Sequence, residues 1–292
     1  MIPKELLQKI KAIEIRTRHL VSATFSGEYH SVFKGQGMSF AGIRKYQSGD
    51  DLRFMDWKVT ARTGVPYIKE FEEERELTVI LAFDLSASKD FGSGTQTKAE
   101  VAAEIVAVLG FSAVNNQDKV GLLLFSDQVE LFIPPKKGKQ HMLRLVRDIF
   151  YYKSHSKKTD ISVATDFLAK MIKKKAIIFL ISDFLDSSIE SSVSLIAKKH
   201  DLVPIVLFDP REKQLLNSGI LSLEDNETGE TLYLNSSLSS VREAYQNMVL
   251  TQELEIERIF KSLKLDFINI DTSKSYLEPL SNYFIHRSKR IH

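Results

Sequence analysis

From Leu77 onward the chain alternates short apolar runs with stretches of helical periodicity, and this alternation constrains the fold more than any other feature. The apolar runs fall at 77–84, 119–125, 128–133, 176–182, 202–208 and 265–270, all of strand length. Helical spacing marks 96–116, 138–151, 160–173, 188–200, 237–264 and 274–287. Strands separated by helices cannot pair through tight turns, so the pattern predicts a mostly parallel sheet covered on both faces. The link Ser126-Asp127-Gln128 is too short for a helix. It predicts a hairpin between 119–125 and 128–133, hence an antiparallel edge strand. A second hairpin is expected over 220–234, turning at Asn226 to Gly229. The expected class is α/β, a doubly wound sheet over 77–292 preceded by a separate module over 1–76.

Within that module, Leu6, Leu7, Ile10 and Ile13 recur at helical spacing and predict an amphipathic helix over 4–21. A polar stretch runs from there to about Met38, and a compact charged segment follows over 39–76. The 292 residues are 43% hydrophobic and 27% charged, ordinary for a soluble globular protein. With 40 basic and 38 acidic side chains, the net charge of +2 gives no footing for a nucleic-acid binder. The absence of cysteine excludes disulfides, thiolate metal sites and cysteine nucleophiles. Met1 to Glu5 lacks a secretory layout, and the longest apolar stretch, Val101 to Val114, is interrupted by Glu104 and Ser112. It is too short for a bilayer span and suits a helix packed on a sheet, so no membrane span and a cytoplasmic location are expected.

The chemistry concentrates at Asp84-Leu85-Ser86-Ala87-Ser88, which follows the first strand of the α/β region. Open α/β sheets hold ligands at the carboxyl ends of their strands. Alternate spacing in a tight loop lets Asp84, Ser86 and Ser88 converge, and an all-oxygen set suits a hard cation such as Mg2+. A helix-capping loop has the same composition. Two later loops, Lys158-Thr159-Asp160 and Ile181-Ser182-Asp183-Phe184, are expected at the same sheet edge. Two carboxylates and three hydroxyls with water approach the six oxygens of Mg2+ and leave a position for an outside ligand. Calcium or manganese would suit the same oxygens.

This pattern, Asp-x-Ser-x-Ser followed by a Thr and then an Asp, resembles the metal-ion-dependent adhesion site of the von Willebrand factor type A fold. The resemblance implies a metal site of Asp84, Ser86, Ser88, Thr159 and Asp183. The three hydroxyls would lie nearest the ion, and the aspartates would reach it directly or through water. Lys157 and Lys158 stand where that family often has glycines, positioned to repel a cation or to reach an acidic partner. Asp160 competes with Thr159 as a ligand, its blander role being a helix N-cap. Two carboxylates leave a divalent cation short of anionic ligands, so it should accept a Glu or Asp side chain of a partner.

A second resemblance rests on residues 40 to 75. These read Phe40-Ala41-Gly42-Ile43-Arg44, Gly49-Asp50-Asp51-Leu52-Arg53, Met55-Asp56-Trp57-Lys58 and Ala61-Arg62-Thr63-Gly64. Asp50 or Asp51 is placed to cap a short helix ending at Gly64. Arg44, Arg53 and Arg62 alternate with Asp50, Asp51 and Asp56, predicting a self-paired module packed on Trp57, the alternative being outward arginines that form a binding surface. The string closely resembles the bacterial family catalogued as domain of unknown function fifty-eight, over roughly residues 30 to 210. The resemblance implies a cytoplasmic, non-enzymatic partner of MoxR-type AAA+ ATPases that serves assembly or maturation of client proteins. No Walker phosphate loop is present, so the ATPase is expected on a separate polypeptide.

Other readings are weaker. A metal-dependent hydrolase or phosphatase would use the same cation to activate water, but Ser86 stands where a haloacid-dehalogenase-type enzyme needs a second acid. Ser86 and Ser88 also lack a nucleophile elbow. A scaffold whose site Lys157 and Lys158 block is the third reading. The seven histidines show no ligand spacing, and only His155, near Thr159, invites a test.

Overall fold

The computed structural model describes Tyr29 and residues 38–73, 76–94, 96–186, 189–224 and 229–291. The helix expected over 4–21 lies outside these residues, as does most of the turn expected at Asn226 to Gly229. The described chain divides into two compact units, with the division between Leu77 and Thr78; Tyr29 belongs with the second.

In the smaller unit β1 (Met38–Lys45) pairs antiparallel with the later β2 (Tyr67–Glu73), with a bulge between Phe40 and Gly42. Between these strands lie a 3-10 turn, Leu52–Phe54, and α1 (Trp57–Thr63). The single helix expected up to Gly64 is broken because Met55 is extended and bridges Ile68. Each piece therefore has its own cap. Asp51 accepts from the Arg53 amide, and Asp56 accepts from the amides of Lys58 and Val59. Gly64 closes α1 at φ +71°, a conformation that costs glycine nothing.

The expected packing on Trp57 is overturned: its side chain is 68% exposed, and only Ile68 is buried among this unit's described residues. One hairpin and a two-turn helix have too little apolar surface to enclose an indole. Polar clamps hold the unit instead. Arg44 donates through both terminal nitrogens to Asp50 (2.6 and 2.7 Å), and its Nε lies 2.8 Å from Glu70. The Arg44 guanidinium, with the Gln47 amide, pulls the Asp50 carboxyl down to about 2. Arg44 is thus structural, while Arg53 (paired to Asp51) and Arg62 are exposed.

The larger unit opens with β3 (Thr78–Asp84), α2 (Lys98–Asn115), β4 (Lys119–Phe125) and β5 (Val129–Lys136). It continues through α3 (Lys139–Tyr151), α4 (Ile161–Met171), β6 (Ile177–Ser182), α5 (Ile189–Ala197), β7 (Asp201–Phe208) and α6 (Pro210–Lys213). The hairpin β8 (Ile220–Glu224) and β9 (Thr231–Asn235), α7 (Ser239–Ser262), β10 (Ile268–Asp271) and α8 (Leu277–Ile291) complete it. Six strands form one sheet in the order β10-β7-β6-β3-β4-β5, all parallel except β5. This is the doubly wound, mostly parallel architecture expected, with β5 as the antiparallel edge. The last strand starts later than its apolar run. Lys264 turns left-handed (φ 56°) and the Leu265 amide bonds Phe260 O, so these residues close α7.

Val79 to Phe83 and all of β6 are buried, each large aliphatic side chain contributing about 1.5–3 kcal/mol. The apolar stretch Val101 to Val114 lies within α2, buried through Ala113. Among the described residues no helix is long and apolar enough to cross a membrane. Sheet growth reverses at β3, which has β4 on one side and β6 on the other. The carboxyl ends of β3 and β6 therefore flank the switch point, where such folds leave a crevice.

Candidate functional site

Asp84 ends β3 and is 4% exposed. Its Oδ1 accepts from the Ser86 amide and its Oδ2 from Ser182 Oγ, both at 2.8 Å. Burial, and then the charge of Asp183, push its carboxyl up to about 7 against these two donors. Ser86 Oγ lies 3.1 Å from Ser88 Oγ. The capping explanation of this loop fails on two counts. Ser86 precedes the 3-10 turn Ala87–Asp90 without bonding it through its side chain, and α2 is capped by Thr97 with Glu100.

Asp183 follows β6 on a backbone that is unusual at the next residue. Phe184 is left-handed (φ 57°), a sparse region for a bulky side chain. It is nevertheless fully buried, edge-on to Phe260 with centroids 5.2 Å apart. Core packing thus sustains a strained turn beside Asp183, of the kind concentrated at functional sites. The Phe184 amide also bonds Ser182 Oγ (3.1 Å), linking this turn to Asp84.

Thr159 is half-buried on the loop before α4. That loop is held from both sides. The Asp160 amide bonds Ser126 O at the end of β4 (3.3 Å), and the Ile161 amide bonds Asp186 beyond β6 (2.8 Å). Thr159 thereby stands at the sheet edge that carries Asp84 and Asp183. Asp160 caps α4 through the Ser162 amide. Asp84, Ser86, Ser88 and Asp183 gather at the switch point, with Thr159 on a loop tied to both flanks. Among the described residues no three His, Cys, Asp or Glu side chains converge as a metal-binding group. The candidate set depends on hydroxyls.

Sequence reasoning missed Lys98 and Ser182. Lys98 opens α2 and is 3% exposed. Its Nζ forms ion pairs with Glu212 Oε1 at 2.7 Å and Asp183 Oδ2 at 3.5 Å. Lys98 thus places a buried ammonium beside the candidate site. Nothing in its local sequence marks this lysine as buried. Its backbone is placed by a close turn: the Lys98 amide bonds Phe91 O (2.9 Å). A Cβ on Gly92 would sit 2.6 Å from Gln96 O and 2.8 Å from Thr97 Cα. Glu212 belongs to the capping box of α6 with Asp209, which also accepts from the Ser93 amide and hydroxyl. Ser182 had a readable signal, a hydroxyl one residue before the strand-end aspartate.

His155 has a structural role. The Glu130 side chain is shielded from solvent, and its Oε1 accepts from Ser126 Oγ (2.8 Å), Ser154 Oγ (3.1 Å) and the amides of His155 (3.0 Å) and Ser156 (3.2 Å). Its Oε2 meets His155 Nδ1 at 2.7 Å and Tyr152 OH at 3.0 Å. Burial alone would raise this carboxyl, but these donors outweigh it and hold it well below the usual range. One carboxylate thus pins the loop that leads to Thr159. Glu130→Ala orphans several donors together, so a loss of ~3 kcal/mol is expected, about 6–12 °C in Tm. Thermal unfolding and amide exchange at His155 and Ser156 would check it; an unchanged Tm would show that the loop is held by other contacts.

The sequence profile of the family described as "Protein of unknown function DUF58" matches residues 42–255. The chain is similar to an uncharacterized protein of Mycobacterium tuberculosis, 25% identical over 288 residues, 98% of this chain and 90% of that protein. It is also similar to the uncharacterized protein YeaD of Bacillus subtilis, 29% identical over 109 residues, 37% of this chain and 25% of that protein. Among solved structures it is similar to the conserved hypothetical protein BatB from Bacteroides thetaiotaomicron. That match has a TM-score of 0.47 at 15% identity, covering 73% of this chain and 99% of BatB.

Proposed function

The chain belongs to the DUF58 family, and from that premise we propose a non-enzymatic, divalent-metal-dependent adaptor that docks an acidic side chain of a partner protein. The observation that carries this reading is the oxygen cluster at the switch point. Ser86 Oγ and Ser88 Oγ stand 3.1 Å apart, close to the ~2.9 Å edge between neighbouring ligands of octahedral Mg2+. Burial first and then the charge of Asp183 raise the Asp84 carboxyl, and a cation held by the two aspartates relieves both costs. Asp84, Ser86, Ser88, Thr159 and Asp183 would hold the ion, and the ion would supply a positive point for an incoming carboxylate.

Ser182 keeps Asp84 oriented in this scheme, and Lys98 carries the counter-charge that a divalent cation must displace from Asp183. None of these roles calls for a nucleophile or a general base. Family resemblance points to a MoxR-type AAA+ ATPase, or a client protein presenting an acidic residue, as the partner in the cytoplasm. Calorimetric titration of Mg2+ into the wild type and Asp84→Ala tests the metal role. Saturable heat in the wild type, lost in the variant, is expected. Indistinguishable traces would refute it.

A further inference from the structure

A cavity of about 350 Å3 opens beside the loop of Ser86 and Ser88, between the start of α2, the end of α3 and the loop after α3. Its floor is apolar: Phe83, Leu85 and Ile149 line it and are all buried. Its rim is cationic. Lys89, Lys153 and Lys157 line it, and none of the three is ion-paired among the described residues. Among the described residues Glu100 is the one acid in the lining, and its carboxylate accepts from the Thr97 amide in the α2 cap. The cavity therefore carries excess positive charge over an apolar base, and its volume falls in the range that encloses small organic ligands.

The rim is also pre-organised. Lys153 and Lys157 alternate with the residues that Glu130 pins, Tyr152, Ser154, His155 and Ser156. A buried carboxylate with this many donors is a costly device for a loop that only has to connect two helices. Fixing the loop in advance lowers the ordering cost of binding there.

We propose that this cavity is a second ligand site, distinct from the oxygen cluster, which takes a small organic anion. Its carboxylate or phosphate is held by Lys89, Lys153 and Lys157, and its aromatic or aliphatic body rests on Phe83, Leu85 and Ile149. The site does not depend on the metal reading, since no oxygen of the cluster contributes to it.

The probe is 8-anilinonaphthalene-1-sulfonate, an anion on an apolar body. It should bind the wild type at one equivalent with enhanced fluorescence, in EDTA as well as in Mg2+. The variant Lys89→Gln/Lys153→Gln/Lys157→Gln should bind it roughly tenfold or more weakly, as expected for the loss of charge-assisted contacts. Lys173→Gln/Lys175→Gln, which alters lysines away from the cavity, should bind it like the wild type. Phenyl phosphate should displace the dye. The proposal is overturned if the two variants behave alike, if no stoichiometric binding occurs, or if an acidic tripeptide displaces the dye and phenyl phosphate does not. Asp84→Ala should retain dye binding, so failure of the metal reading would leave this result unchanged.

Discussion

Lys98→Met is expected to tighten Mg2+ binding by about ten- to a hundredfold. The ammonium lies 3.5 Å from Asp183 Oδ2, so it occupies the electrostatic place that a metal ion needs. At an effective protein dielectric constant near 20, unit charges this close interact by ~4 kcal/mol. Part of that is offset, because Lys98 is closer to Glu212 at 2.7 Å and keeps that partner when it loses the other. A net gain of ~1.4–3 kcal/mol corresponds to the stated range. Methionine preserves the length and the buried packing while removing the charge. The substitution also leaves Asp183 and Glu212 without their cation, so the metal-free variant should unfold at a lower temperature than the wild type and gain more from Mg2+. Calorimetry and thermal unfolding with and without Mg2+ read both effects. Equal or weaker Mg2+ affinity in the variant would sink the role assigned to Lys98.

Asp84→Asn is expected to abolish Mg2+ binding and to stabilise the metal-free protein at pH 8. The native carboxyl titrates at about 7, against 3.8 for an unperturbed aspartate. Between those values the folded state keeps a proton that the unfolded state has lost. Stability from this group is complete below about pH 4, declines as pH rises through the window, and is fully lost above about 7. A displacement of that size is worth ~4 kcal/mol at most, and relaxation of the site reduces this to about 2–4 kcal/mol. Asparagine carries no such penalty, accepts from the Ser86 amide and can donate to Ser182 Oγ. Its Tm at pH 8 should therefore exceed the wild type's by roughly 5–10 °C and be indifferent to Mg2+. At pH 4 the difference should vanish. In the wild type, Mg2+ affinity should rise with pH through about 7 as Asp84 releases its proton. A variant less stable than the wild type at pH 8 would show that the charge of Asp84 is not the source of the cost.

Periodicity carried most of the fold. The runs at 77–84, 119–125 and 176–182 lie within a residue of β3, β4 and β6, and the short Ser126-Asp127-Gln128 link places β5 antiparallel at the edge. Those features are local, set by side-chain spacing and turn length. Local pattern is a poorer guide where a residue's surroundings come from distant chain. Trp57 reads as a packing centre because indoles are usually enclosed, yet its unit lacks the apolar surface to enclose it. The helix before Gly64 breaks because Met55 bridges Ile68, a contact across thirteen positions.

For the candidate site, the sequence by itself determined which oxygens stand at strand ends, because the apolar runs of β3 and β6 stop where those strands stop, at Asp84 and Ser182. Which charges face them was decided only by tertiary structure. Lys98 resembles any lysine at a helix start until α2 and α6 bring it between Asp183 and Glu212, 85 and 114 positions away. Electrostatic strength depends on distance and burial, and neither is written in the neighbourhood of a residue along the chain.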